Sequence, residues 1–118
     1  MKQITEVFCT LCVDGLHNWP ECPFDEVDFL RPLHRHVFHI KAYKLVNHDD
    51  RDVEFIMFKH ALVKFLRGMY WDEQKQSHVF GRMSCESIAE NLHTNFDLSA
   101  CEVSEDGENG SFTRWESR

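Results

Sequence analysis

No apolar run in this chain approaches the roughly 18 residues that a membrane span needs. Its first residues, Met1-Lys2-Gln3-Ile4-Thr5-Glu6, lack the apolar core of a secretory signal. The expectation is a soluble, cytoplasmic protein with no membrane partner. Internal repeats, low-complexity tracts and linkers rich in Pro, Gly or Ser are also missing, so residues 1–118 are read as a single domain around one core. Basic charge is scarce as well: 13 Lys and Arg face 20 Asp and Glu, a net charge of −7. That balance opposes a polyphosphate backbone and argues against nucleic acid as a partner. What the chain does have is apolar content, 42% of residues with 13% aromatic, which excludes a disordered tail.

Five cysteines (Cys9, Cys12, Cys22, Cys85, Cys101) make an odd set. A cytosolic chain of this size does not depend on disulfides, so they are read as free thiols or metal ligands. Eight histidines in 118 residues direct the search towards a metal site.

Residues 3–14 combine β-branched, aromatic and apolar side chains at strand length, and Gly15, Asn18, Pro20 and Pro23 follow as turn signals. From Leu33 to Val46 the pattern alternates, with His34, His36, Phe38, Ile40, Ala42 and Lys44 on one face of a second strand. The polar run Asn47 to Asp52 reads as a turn, and Val53 to Phe55 as the end of a short strand. Phe58, Leu62, Phe65, Leu66 and Met69 share a helical face, which predicts a helix over about residues 57 to 70. Asp72 to Ser77 reads as a polar connection leading to a turn at Gly81. Ser84 then serves as N-cap to a second helix carrying Ile88, Ala89, Leu92 and Phe96, and residues 100–105 and 112–115 close the chain as strands around a Gly107–Gly110 turn. The order predicts an α+β fold, an antiparallel sheet with two helices packed on one face.

Two metal constellations compete. Cys9, Cys12, His17 and Cys22 have the spacing Cys-x2-Cys-x4-His-x4-Cys of a zinc knuckle, a structural or interaction module. Between these ligands, however, there is no Lys or Arg, while Asp14 and Glu21 are acidic. The alternative is His17 with His34 and His36. Histidines at i and i+2 on a strand project to one face, and a third from a neighbouring strand completes a set of three that leaves one position open.

The order of these features resembles the family of 6-pyruvoyltetrahydropterin and 6-carboxytetrahydropterin synthases. Val13-Asp14-Gly15-Leu16-His17 is similar to the family's first-strand segment ending in a zinc histidine, and Leu33-His34-Arg35-His36 to its Leu-His-Gly-His motif. Val53 to Phe58 is similar to a strand ending in Asp-Phe before a helix, Ser84 to Ala89 to a Pro-Thr-x-Glu-x-x-Ala helix start, and Val103-Ser104-Glu105 to a strand ending in a pterin-anchoring Glu. The resemblance runs collinearly along nearly the whole chain. It implies a tunnelling-type pterin-synthase fold, zinc on His17, His34 and His36, Glu105 as ring anchor, and a homo-oligomer with pockets between subunits. It also implies a place in tetrahydropterin or queuosine biosynthesis.

The proton relay does not carry over. Leu30 stands where the family has a cysteine, and Cys22 is the nearest thiol. Trp71-Asp72-Glu73 replaces Leu-Asp-His, leaving Asp72 and, from the following loop, His78 as the remaining relay groups; Arg35 replaces the glycine between the two histidines. The expectation is a diverged member that binds a pterin, purine or nucleotide-like ligand, with the parent zinc-dependent lyase reaction weakened or absent.

Overall fold

In the computed structural model, which describes residues 2–116, the chain runs β1 (Thr5–His17), a 3-10 turn (Asp25–Leu30), β2 (His34–Val46), α1 (Phe55–Tyr70), β3 (Trp71–Asp72), β4 (Ser77–Gly81), α2 (Cys85–Phe96), β5 (Ala100–Glu105) and β6 (Asn109–Arg114). The strands form one mixed sheet in the order β3-β4-β1-β2-β5-β6. Strand alternation puts Cys9, Leu11 and Val13 of β1, Phe38, Ile40 and Ala42 of β2, and Cys101 and Val103 of β5 on one face. Both helices cover that face with Phe58, Leu62, Leu66, Ile88, Ala89 and Leu92. Leu62, Leu66 and Leu92 are wholly buried, each stabilising the fold by about 1.5–3 kcal/mol. The opposite face carries Phe8, Tyr43 and Phe112 as an outer aromatic row.

Each helix starts where a side chain satisfies its first free N–H groups. Glu54 accepts from Ile56 N and Met57 N, and Ser84 accepts from Ser87 N. The Glu54 cap explains a departure from the sequence reading: Val53 to Phe55 forms no strand, and α1 begins at Phe55, two residues before the predicted start.

Three other expectations change. The sheet is not wholly antiparallel, because β4 pairs parallel to β1 through Gly15↔His78 and Leu16↔Val79. The connection after α1 is not simply polar, since Trp71↔His78 and Asp72↔Ser77 pair as strands. Gly15 is no turn residue but lies inside β1, where a Cβ would come within 2.6 Å of Phe80 and 2.7 Å of Phe38. Glycine is there so that these two rings can cross the strand.

The β1/β2 ladder decides which histidines share a face. It runs unbroken from Thr5↔Val46 to His17↔His34, which sets His17 directly across from His34 and Gly15 across from His36. A slip of one residue would turn the β2 histidines to the other face. Among the described residues no helix is long and apolar enough to cross a membrane.

Candidate metal centre

The ladder end gathers His17, His34 and His36 on the helix-covered face, with one nitrogen of each ring within 4.8 Å of the others. Each ring is tethered through its other nitrogen. His17 Nδ1 donates to Met83 O at 3.0 Å, His34 Nδ1 to Pro32 O at 2.9 Å, and His36 Nδ1 to the Asp106 carboxylate at 2.7 Å. A carbonyl or carboxylate only accepts, so Nδ1 bears a proton and, in the neutral ring, the Nε2 lone pair is left bare. All three Nε2 atoms are buried with no hydrogen-bond partner. Each such buried atom costs about 1–3 kcal/mol, and three gathered together form a group that could hold a shared cation. A second partner fixing the tautomer and tilt of each ring is how metal-ligating histidines are held. The donor set therefore fits a divalent ion of the zinc class.

Burial lowers the pKa of His17, which keeps its ring neutral and able to ligate. Asp106 is held below the usual carboxylate range, first by the hydrogen bond from His36 and then by that from Val37 N. Beneath the rings lies Phe38, wholly buried and edge-on to His17 at 5.1 Å and to His36 at 5.8 Å between centroids.

Glu105 ends β5 opposite Phe38 and reaches the same place, with Oε2 3.1 Å from His17 Nε2 and Oε1 3.5 Å from His36 Nε2. The Cys85 thiol, at the start of α2, donates to Oε2 at 3.9 Å. Burial and the adjacent Glu105 charge push that thiol up to about 12. A cavity of about 460 Å³ opens beside the centre, lined by His17, His34, Trp19, Leu30, Cys85 and Glu105 among others. Arg82, also at its rim, is paired with Glu21.

The remaining sequence-predicted residues lie elsewhere. Cys22 is buried in the loop after β1, its thiol turned to Phe24 O and Val27 O. Asp72 caps a turn by accepting from Lys75 N. His78 sits in β4 rather than a loop, donates to Asp14 O at 3.0 Å and stacks on Phe80. None of the three lines the cavity. The knuckle ligands do not assemble either: Cys9 and Cys12 are three apart on one strand, so one is buried and the other exposed on opposite faces. Among the described residues, His17, His34 and His36 are the one group of three or more His, Cys, Asp or Glu side chains close enough to share an ion.

Sequence reasoning missed Cys85, Asp106 and the Met83 carbonyl. Asp106 follows Glu105 directly, and an acid pair at a strand end was the available signal; the carbonyl left none. No protein-family model matches the chain, and no curated protein matches it.

Proposed function

We propose that this chain is a zinc-binding protein on a tunnelling-type, pterin-synthase-like scaffold, which binds a pterin, purine or nucleotide-like ligand and has lost the parent lyase reaction. The observation that carries the reading is the set of three tethered histidines whose bare Nε2 atoms meet beside a ligand-sized cavity. His17, His34 and His36 hold the ion, which supplies a fixed positive charge that attracts and polarises an oxygen of the ligand. Phe38 closes the floor against water. Trp19 and Leu30 provide apolar wall for a flat ring, and the Glu105 carboxylate can accept two N–H bonds from a heterocycle edge.

Binding is favoured over turnover because the groups nearest to the family's proton relay are not at the cavity, and the thiol that does line it, Cys85, is kept protonated by burial and the Glu105 charge. Leu30 occupies the wall where a thiol would be needed, while Cys22, Asp72 and His78 serve loop, turn and sheet. The exposed apolar side chains Phe55, Ile56 and Met57 on α1 and Phe8, Val37 and Phe112 on the outer sheet face support a homo-oligomer. Sedimentation showing only monomer at micromolar concentration would remove that part of the proposal.

The test is thermal unfolding of the zinc-loaded chain with neopterin, biopterin or GTP. A ligand at about 100 times its Kd adds about 2.7 kcal/mol, worth about 10 °C in a domain of this size. The shift should vanish in a His34→Ala, His36→Ala double variant. No shift with any of the three compounds refutes the ligand class, and product formed from dihydroneopterin triphosphate refutes the loss of the lyase reaction.

A further inference from the structure

We propose that Glu105 is the fourth ligand of the ion, so that the centre is closed at rest and a cavity ligand must displace this carboxylate. The inference rests on the three-histidine reading and is carried by the position of Glu105 itself. Both oxygens face bare nitrogens, Oε2 at 3.1 Å from His17 Nε2 and Oε1 at 3.5 Å from His36 Nε2. In the neutral rings, whose single proton is committed at Nδ1 to Met83 O and to Asp106, no proton lies along either line. An ionised carboxylate set against two lone pairs is repelled unless a cation lies among them.

Zinc bonded to nitrogen or oxygen at about 2.0–2.1 Å in a tetrahedron separates its donor atoms by about 3.3–3.4 Å; each Glu105 oxygen stands at about that distance from one histidine, so a turn of the carboxylate that brings one oxygen towards His34 completes the set. Nor is Glu105 a loose surface acid. The β2/β5 ladder places it opposite Phe38, Asp106 N is bonded to Val37 O immediately after it, and the Cys85 thiol donates to its Oε2. Cys85 is thus a positioning residue, holding the carboxylate from the cavity side.

The consequence is an exchange. A ligand presenting a hydroxyl or carboxylate oxygen takes the fourth position, and the released Glu105 carboxylate, still at the cavity wall, accepts N–H groups from the same molecule. Ligands lacking either the oxygen or the adjacent N–H edge bind poorly, because one partner of the exchange is then left unmatched.

Cobalt substitution with azide as the probe tests this directly. The wild-type chain should take up cobalt and show a visible spectrum that millimolar azide leaves unchanged. Glu105→Ala should bind cobalt at least about tenfold more weakly, and its spectrum should move on adding azide to the vacated position. Glu105→Gln, nearly isosteric and uncharged, guards against a folding defect and should lie nearer to Ala than to wild type in both readouts. If azide moves the wild-type spectrum as readily as that of Glu105→Ala, and cobalt affinity is equal in the two, Glu105 is no ligand while the histidine centre stands. If the wild-type chain takes up no cobalt, the three-histidine reading itself falls.

Discussion

Replacing Gly15 with alanine tests how the fold supports the centre, because two simple arguments predict opposite signs. In a strand, alanine loses less backbone entropy than glycine, so propensity alone makes Gly15→Ala stabilising by about 0.5–1 kcal/mol. Packing says the reverse. The new Cβ would lie 2.6 Å from Phe80 Cε2 and 2.7 and 2.8 Å from two atoms of Phe38, about 1 Å inside ordinary carbon contact. Neither ring can retreat freely, since Phe38 is 0% and Phe80 3% exposed and their centroids are 5.0 Å apart. Overpacking of this kind costs about 1–3 kcal/mol. With two rings displaced we expect the upper end, a net loss of about 2 kcal/mol after the entropy gain. Urea denaturation followed by circular dichroism should read that loss, with Tm lower by about 8 °C. Phe80→Leu should recover at least about 1 kcal/mol of it in a double-mutant cycle. Because Phe38 lies edge-on to His17 and His36, metal affinity should fall along with stability. A variant as stable as wild type, or more so, would refute the packing argument.

Asp106→Asn keeps the shape of a side chain whose two oxygens serve His36 Nδ1 and Val37 N, but leaves only one of them an acceptor. Zinc affinity measured by chelator competition should drop about tenfold or more; an unchanged value would show that the tether does not matter. In the metal-free chain, His17 has its pKa lowered by burial, so below about pH 6.5 the unfolded state binds the extra proton first. Stability should therefore be full above that pH and fall as pH drops towards the folded-state pKa, and His17→Gln should flatten the curve of urea midpoint against pH. Disulfide-exchange labelling of the native chain should modify Cys12 quickly and the other four cysteines only in urea, since Cys12 is the exposed one and burial raises Cys9, Cys85 and Cys101. A second fast thiol in the native state would contradict the packing described.

The parts of the fold legible in the sequence are those with a local cause. Alternation in β2 placed His34 and His36 on one face, the spacing of Leu62, Leu66, Ile88 and Leu92 marked two amphipathic helices, and Ser84 announced its own N-cap. These follow from side-chain geometry repeated every two or 3.6 residues, which a linear pattern carries intact. Local signals failed where one residue type serves two ends. Gly15 looked like a turn because glycine is common there, and only the rings crossing it reveal a strand position. Glu54 sat in an apolar run that reads equally as strand or helix start, until its carboxylate is seen accepting from two N–H groups.

Assembly of the centre belonged to the tertiary structure. Nothing local says that His17 faces His34 rather than pairing with Cys9, Cys12 and Cys22; the β1/β2 register decides it. The parallel placement of β4 beside β1, followed by the turn through Gly81, brings the Met83 carbonyl to His17. The β2/β5 ladder brings Glu105 and Asp106 to rings some 70 residues earlier, Asp106 and His36 being 70 apart in sequence. By itself the sequence determined which side chains could bind an ion and which way each strand presents them. Which of them meet, and which nitrogen of each ring is left free to bind, depended on contacts between distant segments, because register and hydrogen-bond partnership exist only once the strands are paired.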